Sequence, residues 1–157
     1  MTSRHRVADY LWRNFRNMTN IELRRLDDMY LMEAVNETGE SIRMDASAEL
    51  GGSGKAMRPM QVLLASMGGC SAIDVISILR KKRQAPKDIR ISLSGEREAG
   101  KEPSLYRKIN IHFQLFGDIE QEAAQQAVSL SMDKYCSVAK TLELSATITH
   151  SFEIIRD

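Results

Sequence analysis

Apolar and polar positions alternate twice near the start of the chain. Ile21 and Leu23 stand between polar neighbours, and Tyr30, Met32 and Ala34 continue the two-residue period. That period marks strands with one buried face. Asp27-Asp28 and Asn36-Glu37-Thr38-Gly39 supply turn residues between them. Residues 20–46 therefore predict a three-stranded meander. Residues 47–58, SAELGGSGKAMR, read as a mobile connector. They are not a phosphate loop, because Lys55 is followed by Ala56 rather than Ser or Thr.

The period then changes. From Pro59 to about Lys82 the pattern predicts a helix, with Pro59 in its first turn and Arg80, Lys81, Lys82 and Arg83 complementing its C-terminal dipole. Val62, Leu63, Leu64, Met67, Ile73, Val75, Ile76, Ile78 and Leu79 make it apolar almost all round, which predicts cover on most sides. One stripe differs: Ser66, Cys70, Asp74 and Ser77 fall on one face. A narrow polar stripe on such a helix must face partners, water or a cleft. Gly68 and Gly69 weaken the helix before Cys70 by up to about 1 kcal/mol each relative to Ala. They predict close approach of a backbone or a small ligand to the thiol.

Alternation returns at Ile89, Ile91 and Leu93, and again at Leu105, Ile109, Ile111, Phe113 and Leu115, with a hairpin loop at Gly100–Pro103. His112 lies on the polar phase and reads as an exposed strand residue. Asp118 with Gln121 forms a capping-box pattern, and Ile119, Ala123, Ala127 and Leu130 mark one face of a helix to about Met132. After a break at Asp133-Lys134-Tyr135, a short helix from Ser137 to about Leu142 puts Cys136 near its N-terminus. There the helix dipole favours a thiolate. Ala146, Ile148, His150, Phe152 and Ile154 mark a last strand. Strands grouped around one long helix make the fold class α+β.

Composition narrows the function. The chain has 157 residues, 43% hydrophobic and 27% charged, which suits one packed domain. Its net charge of +1 asks for neither nucleic acid nor an anionic membrane. Residues 1–17 stand apart, with Arg4, Arg6, Arg13 and Arg16 against Asp9 alone. They read as an extension outside the core, with the domain proper at 18–157; a membrane-surface or partner helix is the alternative. The start, MTSRHRVADY, lacks the apolar core of a secretory leader, so the expected location is cytoplasmic. Met60–Leu79 approaches a membrane span in length, but Asp74 near its middle would be costly in lipid, and it reads as a buried core helix.

Two cysteines are too few for a disulfide scaffold. With His5, His112 and His150 scattered, no metal-ligand spacing is visible, and neither a metal nor a cofactor is expected. Two readings remain for Cys70 and Cys136: inert buried thiols, or one reactive pair.

The segments RPMQVLLASMGGCSAIDVISILRKKRQ and MDKYCSVAKTL resemble the two cysteine motifs of the OsmC/Ohr proteins. The order of elements matches over about Met18 to Ile154, and the run from Pro59 to Ile78 is similar to the OsmC-like branch that includes the bacterial YhfA proteins. The resemblance implies an OsmC-like fold, a mostly antiparallel sheet with a long central helix bearing the first Cys, in an intertwined homodimer with the site at the subunit interface. It also implies a chemistry. Cys70 would be the peroxidatic thiol that attacks a hydroperoxide, organic hydroperoxides above all. Cys136 would be the resolving thiol, and a dithiol reductant, a lipoyl protein or a thioredoxin-like protein, would reopen the disulfide. In the active peroxidases an acid follows the motif proline and positions an Arg that activates the thiolate; here that position is Met60. Arg58, which abuts the motif, and Arg25, near the first turn beside Arg24, are the candidate activating residues. Asp74, one turn beyond Cys70, would raise the thiol pKa if ionised unless a cation offsets it. The departure at Met60 keeps a second reading open, a redox-responsive or small-molecule-binding relative without robust turnover.

Overall fold

The computed structural model describes residues 18–156. The expectation that residues 1–17 form a separate extension lies outside the described residues. The chain divides into two compact units at Pro59/Met60.

The first unit is the expected meander: β1 (Ile21–Arg25), β2 (Met32–Asn36) and β3 (Ser41–Met44), antiparallel in the order β1-β2-β3. The alternation sends Glu33 of β2 to a polar face. There it is buried between Arg24, whose Nη2 lies 2.6 Å from Oε2, and Arg43, whose Nε lies 3.4 Å from Oε1. The hydrogen bond from Arg24, more than any other contact, holds the Glu33 carboxyl below the usual range. Ile21, Leu23 and Ile42 share the opposite face and stay exposed in the single chain. The segment expected to be a mobile connector is tied down. The buried Asp45 carboxylate accepts from the Ser53 hydroxyl at 2.7 Å and the Ser53 N–H at 2.9 Å, and a short 3₁₀ turn spans Ala48–Leu50.

The second unit packs helices on one face of a sheet. Its helices are α1 (Pro59–Lys81), α2 (Gln121–Leu130) and α3 (Ser137–Leu142). Its strands are β4 (Asp88–Arg97), β5 (Tyr106–Phe116) and β6 (Thr147–Ile155), in the order β4-β5-β6. β4 and β5 are antiparallel, and β5 and β6 are parallel. The register lines up Ile89 with Leu115 and Ile154, and Ile91 with Phe113 and Phe152. These residues form the inner face, against which Met67, Val75 and Leu79 of α1 and Ala124, Ala127 and Val128 of α2 are buried. The outer face is polar. His112 is half-buried there, with Nδ1 2.8 Å from the Ser151 hydroxyl and Nε2 3.3 Å from Glu153 Oε1, so it is more tied down than a simple exposed strand residue.

Three local expectations fail. Asp118 does not cap α2. The helix starts at Gln121 with Glu120 at the cap, and the free Glu120 N–H donates instead to the Gln84 side chain at 2.8 Å. The buried face of α2 is Ala123, Ala124, Ala127 and Val128, while Leu130 is exposed, because Ile119 is already buried ahead of the helix and the face turns about it. The break expected at Asp133-Lys134-Tyr135 is a π-helical turn, Ser131–Tyr135, running on directly from α2.

Gly95 of β4 shows how tightly sheet and helix are fitted. A Cβ placed there would lie 2.5 Å from the Tyr106 ring. That ring is buried, and its hydroxyl donates to the Met60 carbonyl at 2.8 Å. Gly95→Ala is expected to push the ring off this bond and destabilise the protein by about 1–3 kcal/mol. Urea unfolding measures this, and an unchanged midpoint would show that the ring moves aside freely.

Candidate functional site

α1 carries the first thiol. Pro59 opens the helix, where a missing N–H costs nothing. The far end closes with the Gln84 N–H donating to the Leu79 carbonyl and the Arg83 N–H to that of Arg80, with Arg83 left-handed at φ 60°. The row that meets the core is Met67, Ser71, Val75 and Leu79, spaced by four. The helix is therefore not covered on most sides within one chain; Ile73 on the far side is 68% exposed. Cys70 and Asp74 lie one position round from the buried row and are half-buried, and Ser66 and Ser77 are exposed. The stripe noted in the sequence thus borders the core, and its middle is the part that meets other groups.

Cys136 comes from the opposite side. The π-helical turn ends at Tyr135, and Cys136 caps α3, its sulfur accepting from the Ala139 N–H at 3.4 Å. Its side chain is 0% exposed. The Ser71 hydroxyl donates to its Sγ at 3.2 Å, and Met132 Sδ lies 3.5 Å from the same hydroxyl. Burial pushes the Cys136 thiol up overall, outweighing the hydrogen bonds from the Ser71 hydroxyl and the Ala139 N–H that lower it, so the thiolate-favouring helix end expected from the sequence does not prevail. Cys70 adds to the rise, since two thiolates repel. Among the described residues, none of the groups that shift Cys136 is a cation.

The fold brings the pair together across 66 positions of sequence. The Cys70 and Cys136 sulfurs and the nearer Asp74 carboxylate oxygen all lie within 4.8 Å of one another. Both cysteines are free thiols. The Ser131 hydroxyl donates to Asp74 Oδ2 at 3.3 Å. Arg25 and Arg58 belong to the first unit. Arg25 ends β1 opposite Met32, and Arg58 acts electrostatically on Glu49.

Sequence reasoning missed Ser71, Ser131 and Met132. Ser71 left a readable signal, as the one polar residue in the i, i+4 row of Met67, Val75 and Leu79. Ser131 and Met132 left none, because a π-helical turn shifts the helical period just there. Gly68 also serves differently from expectation. A Cβ on it would lie 2.8 Å from Leu93 Cδ1, so it lets the sheet close on the helix; Gly69 meets nothing within 4 Å.

Comparison with known proteins identifies the family and the fold. A family model described as OsmC-like protein matches residues 52–151. Protein YhfA of Escherichia coli K12 is 47% identical over 120 residues, covering 75% of this chain and 85% of that protein. The crystal structure of a hypothetical protein from Aquifex aeolicus superposes with a TM-score of 0.77 at 35% identity, over 90% of this chain and 98% of that one. An organic hydroperoxide resistance protein OsmC from Legionella pneumophila shares the fold at 15% identity, with a TM-score of 0.64, over 85% of this chain and 96% of that one. On the family match and the identity to YhfA, the chain belongs to the OsmC-like proteins.

Proposed function

We propose that the protein reduces hydroperoxides, organic ones above all, through the Cys70/Cys136 pair at the expense of a dithiol. The observation that carries the reading is the approach of the two sulfurs to within 4.8 Å. In the first step the Cys70 thiolate attacks the outer peroxide oxygen. The O–O bond breaks, the alkoxide takes a proton and leaves as the alcohol, and Cys70 becomes a sulfenic acid. In the second, Cys136 attacks that sulfur, water leaves, and a disulfide joins the pair. A dithiol, a lipoyl protein or a thioredoxin-like protein, then returns both thiols and is itself oxidised to a disulfide.

Exposure supports this division of roles. Cys70 is half-buried and can be reached, whereas Cys136 is enclosed. Attack by Cys70 needs the thiolate, which a nearby cation favours. Arg58 and Arg25 are the candidates, since a guanidinium fork can hold both the sulfur and a peroxide oxygen. With Met60 in place of the family's acid, turnover is expected to be slower than in the strong peroxidases of the family. The testing experiment is peroxide consumption with lipoyl and thioredoxin-type donors; no consumption with any donor leaves the redox-responsive or small-molecule-binding reading in its place.

The same reading makes the protein a cytoplasmic homodimer. Support comes from apolar surface that one chain leaves open: Ile73 on α1, and Ile21, Leu23 and Ile42 on the first sheet. Light scattering at micromolar concentration is expected to give twice the chain mass, and a monomer at that concentration would refute the assembly.

A further inference from the structure

The redox reading uses Cys70 and Cys136 but gives no role to Asp74, whose carboxylate is held beside them. We propose that the reduced group Cys70, Asp74 and Cys136 is a binding site for a thiophilic divalent cation of the zinc class. The inference concerns the same site as the proposed function, but its binding step does not depend on peroxide turnover.

Geometry carries it. Zinc binds thiolate sulfur at about 2.3 Å and carboxylate oxygen at about 2.0–2.2 Å in a tetrahedron, which puts ligand atoms about 3.5–3.8 Å apart. The three candidate atoms already lie within 4.8 Å of one another, so small rotamer adjustments close the set. Two ligands come from one rigid element, Cys70 and Asp74 one helical turn apart, and the third from the cap of α3. A surrounding shell is also present. Ser131 donates to Asp74 Oδ2, and Ser71 and the Ala139 N–H donate to Cys136 Sγ. Hydrogen bonds of this kind orient metal ligands and stabilise their negative charge. Two thiolates and one carboxylate select zinc-like ions over magnesium or calcium, which take oxygen ligands. Three protein ligands leave the fourth position for water, on the side where Cys70 and Asp74 are partly open.

Binding an ion to the pair displaces thiol protons. The bound ion occupies the sulfur lone pairs that attack peroxide, so metal and peroxide compete. When a hydroperoxide oxidises the pair in place of the ion, each thiolate gives up one electron as the S–S bond forms. The peroxide takes both electrons and two protons and leaves as alcohol and water, and the ion is set free. The site is thus a store that releases its metal on oxidation.

The test uses the reduced, metal-free full-length protein and Co²⁺ as probe, displaced afterwards by Zn²⁺. One ion per chain is expected, with thiolate-to-cobalt charge transfer, tetrahedral ligand-field bands and release of protons. Cys70→Ser and Cys136→Ser should each lose the two-thiolate spectrum. Asp74→Asn should keep thiolate absorption but bind more weakly, by at least the roughly 10- to 100-fold that even outer-shell partners of a metal are worth. The disulfide form should bind nothing. Circular dichroism shows whether each variant is folded. Wild-type protein without a thiolate–cobalt band at stoichiometric Co²⁺ would overturn the proposal, and so would affinity unchanged in folded Asp74→Asn. Peroxide consumption in the presence of a chelator is measured in parallel. Turnover without metal binding sinks this inference alone, and metal binding without turnover sinks the peroxidase reading alone.

Discussion

Cys70→Ser is expected to reduce hydroperoxide consumption to the background rate, whatever dithiol is supplied. The argument is one of access and chemistry together. A peroxide must bring its O–O bond in line with a sulfur, and Cys136 is closed off by Ser71, Met132 and Met67, its side chain 0% exposed. Only Cys70, half-buried on the border of the α1 core row, offers a sulfur to an incoming substrate. Serine preserves the shape of the side chain, but its hydroxyl remains protonated at neutral pH and cannot replace a thiolate as nucleophile. The fold should be spared, since the core row of α1 runs through Ser71 rather than Cys70. Circular dichroism and the melting temperature check that point, and coupled peroxide assays check the activity. The assignment fails if folded Cys70→Ser consumes peroxide like the wild type. Arg58→Gln and Arg25→Gln extend the experiment. Whichever Arg supplies the cation should slow alkylation of Cys70 as well as peroxide reduction, because both reactions need the same thiolate. A variant that slows turnover while leaving alkylation unchanged acts on substrate binding instead.

The elements of this fold were largely legible because their hydrophobic periods are clean. β1 to β6 and α1 follow from two-residue alternation and from a 23-residue apolar helix opened by Pro59. What the period could not give was which side of α1 meets the core. Apolar residues lie almost all round it, so the buried row of Met67, Ser71, Val75 and Leu79 is selected by packing, against Leu93 closing on Gly68 for instance. The cap of α2 was missed because the pattern at Asp118 and Gln121 satisfies a local rule that a distant side chain, Gln84, overrides. For the site, Cys70 and Asp74 are readable as neighbours from helical spacing alone, and the cysteine motifs resemble a known family. The third member, Cys136, reaches them through a π-helical turn and a short helix, 66 positions on, and no spacing rule foretells that approach. For the same reason the sequence shows no ligand spacing at this group, since two of its members are local and the third is tertiary.

Cys136→Ser is expected to stop turnover after one reaction per chain. With the resolving thiol gone, Cys70 still attacks the first peroxide, releases the alcohol and is left as a sulfenic acid. In the wild type the Cys136 sulfur waits within 4.8 Å and must move to about 2.0 Å to form the disulfide, a shift that rotamer changes and a small adjustment of the α3 cap can supply. Serine at this position can still meet the Ser71 hydroxyl and the Ala139 N–H, so the site keeps its shape but cannot condense. A stopped-flow trace should therefore show a burst of one equivalent and then no steady state, and a dimedone probe should label Cys70 in the variant but not in the turning-over wild type. The wild-type closing step should also quicken as pH rises, because burial holds the Cys136 thiol protonated and only its thiolate attacks the sulfenic sulfur. Mass spectrometry after one equivalent of peroxide should find the Cys70–Cys136 bond within a single chain. Steady multiple turnover by Cys136→Ser with a dithiol donor would remove Cys136 from the cycle, and the donor would then be reducing the Cys70 sulfenic acid directly.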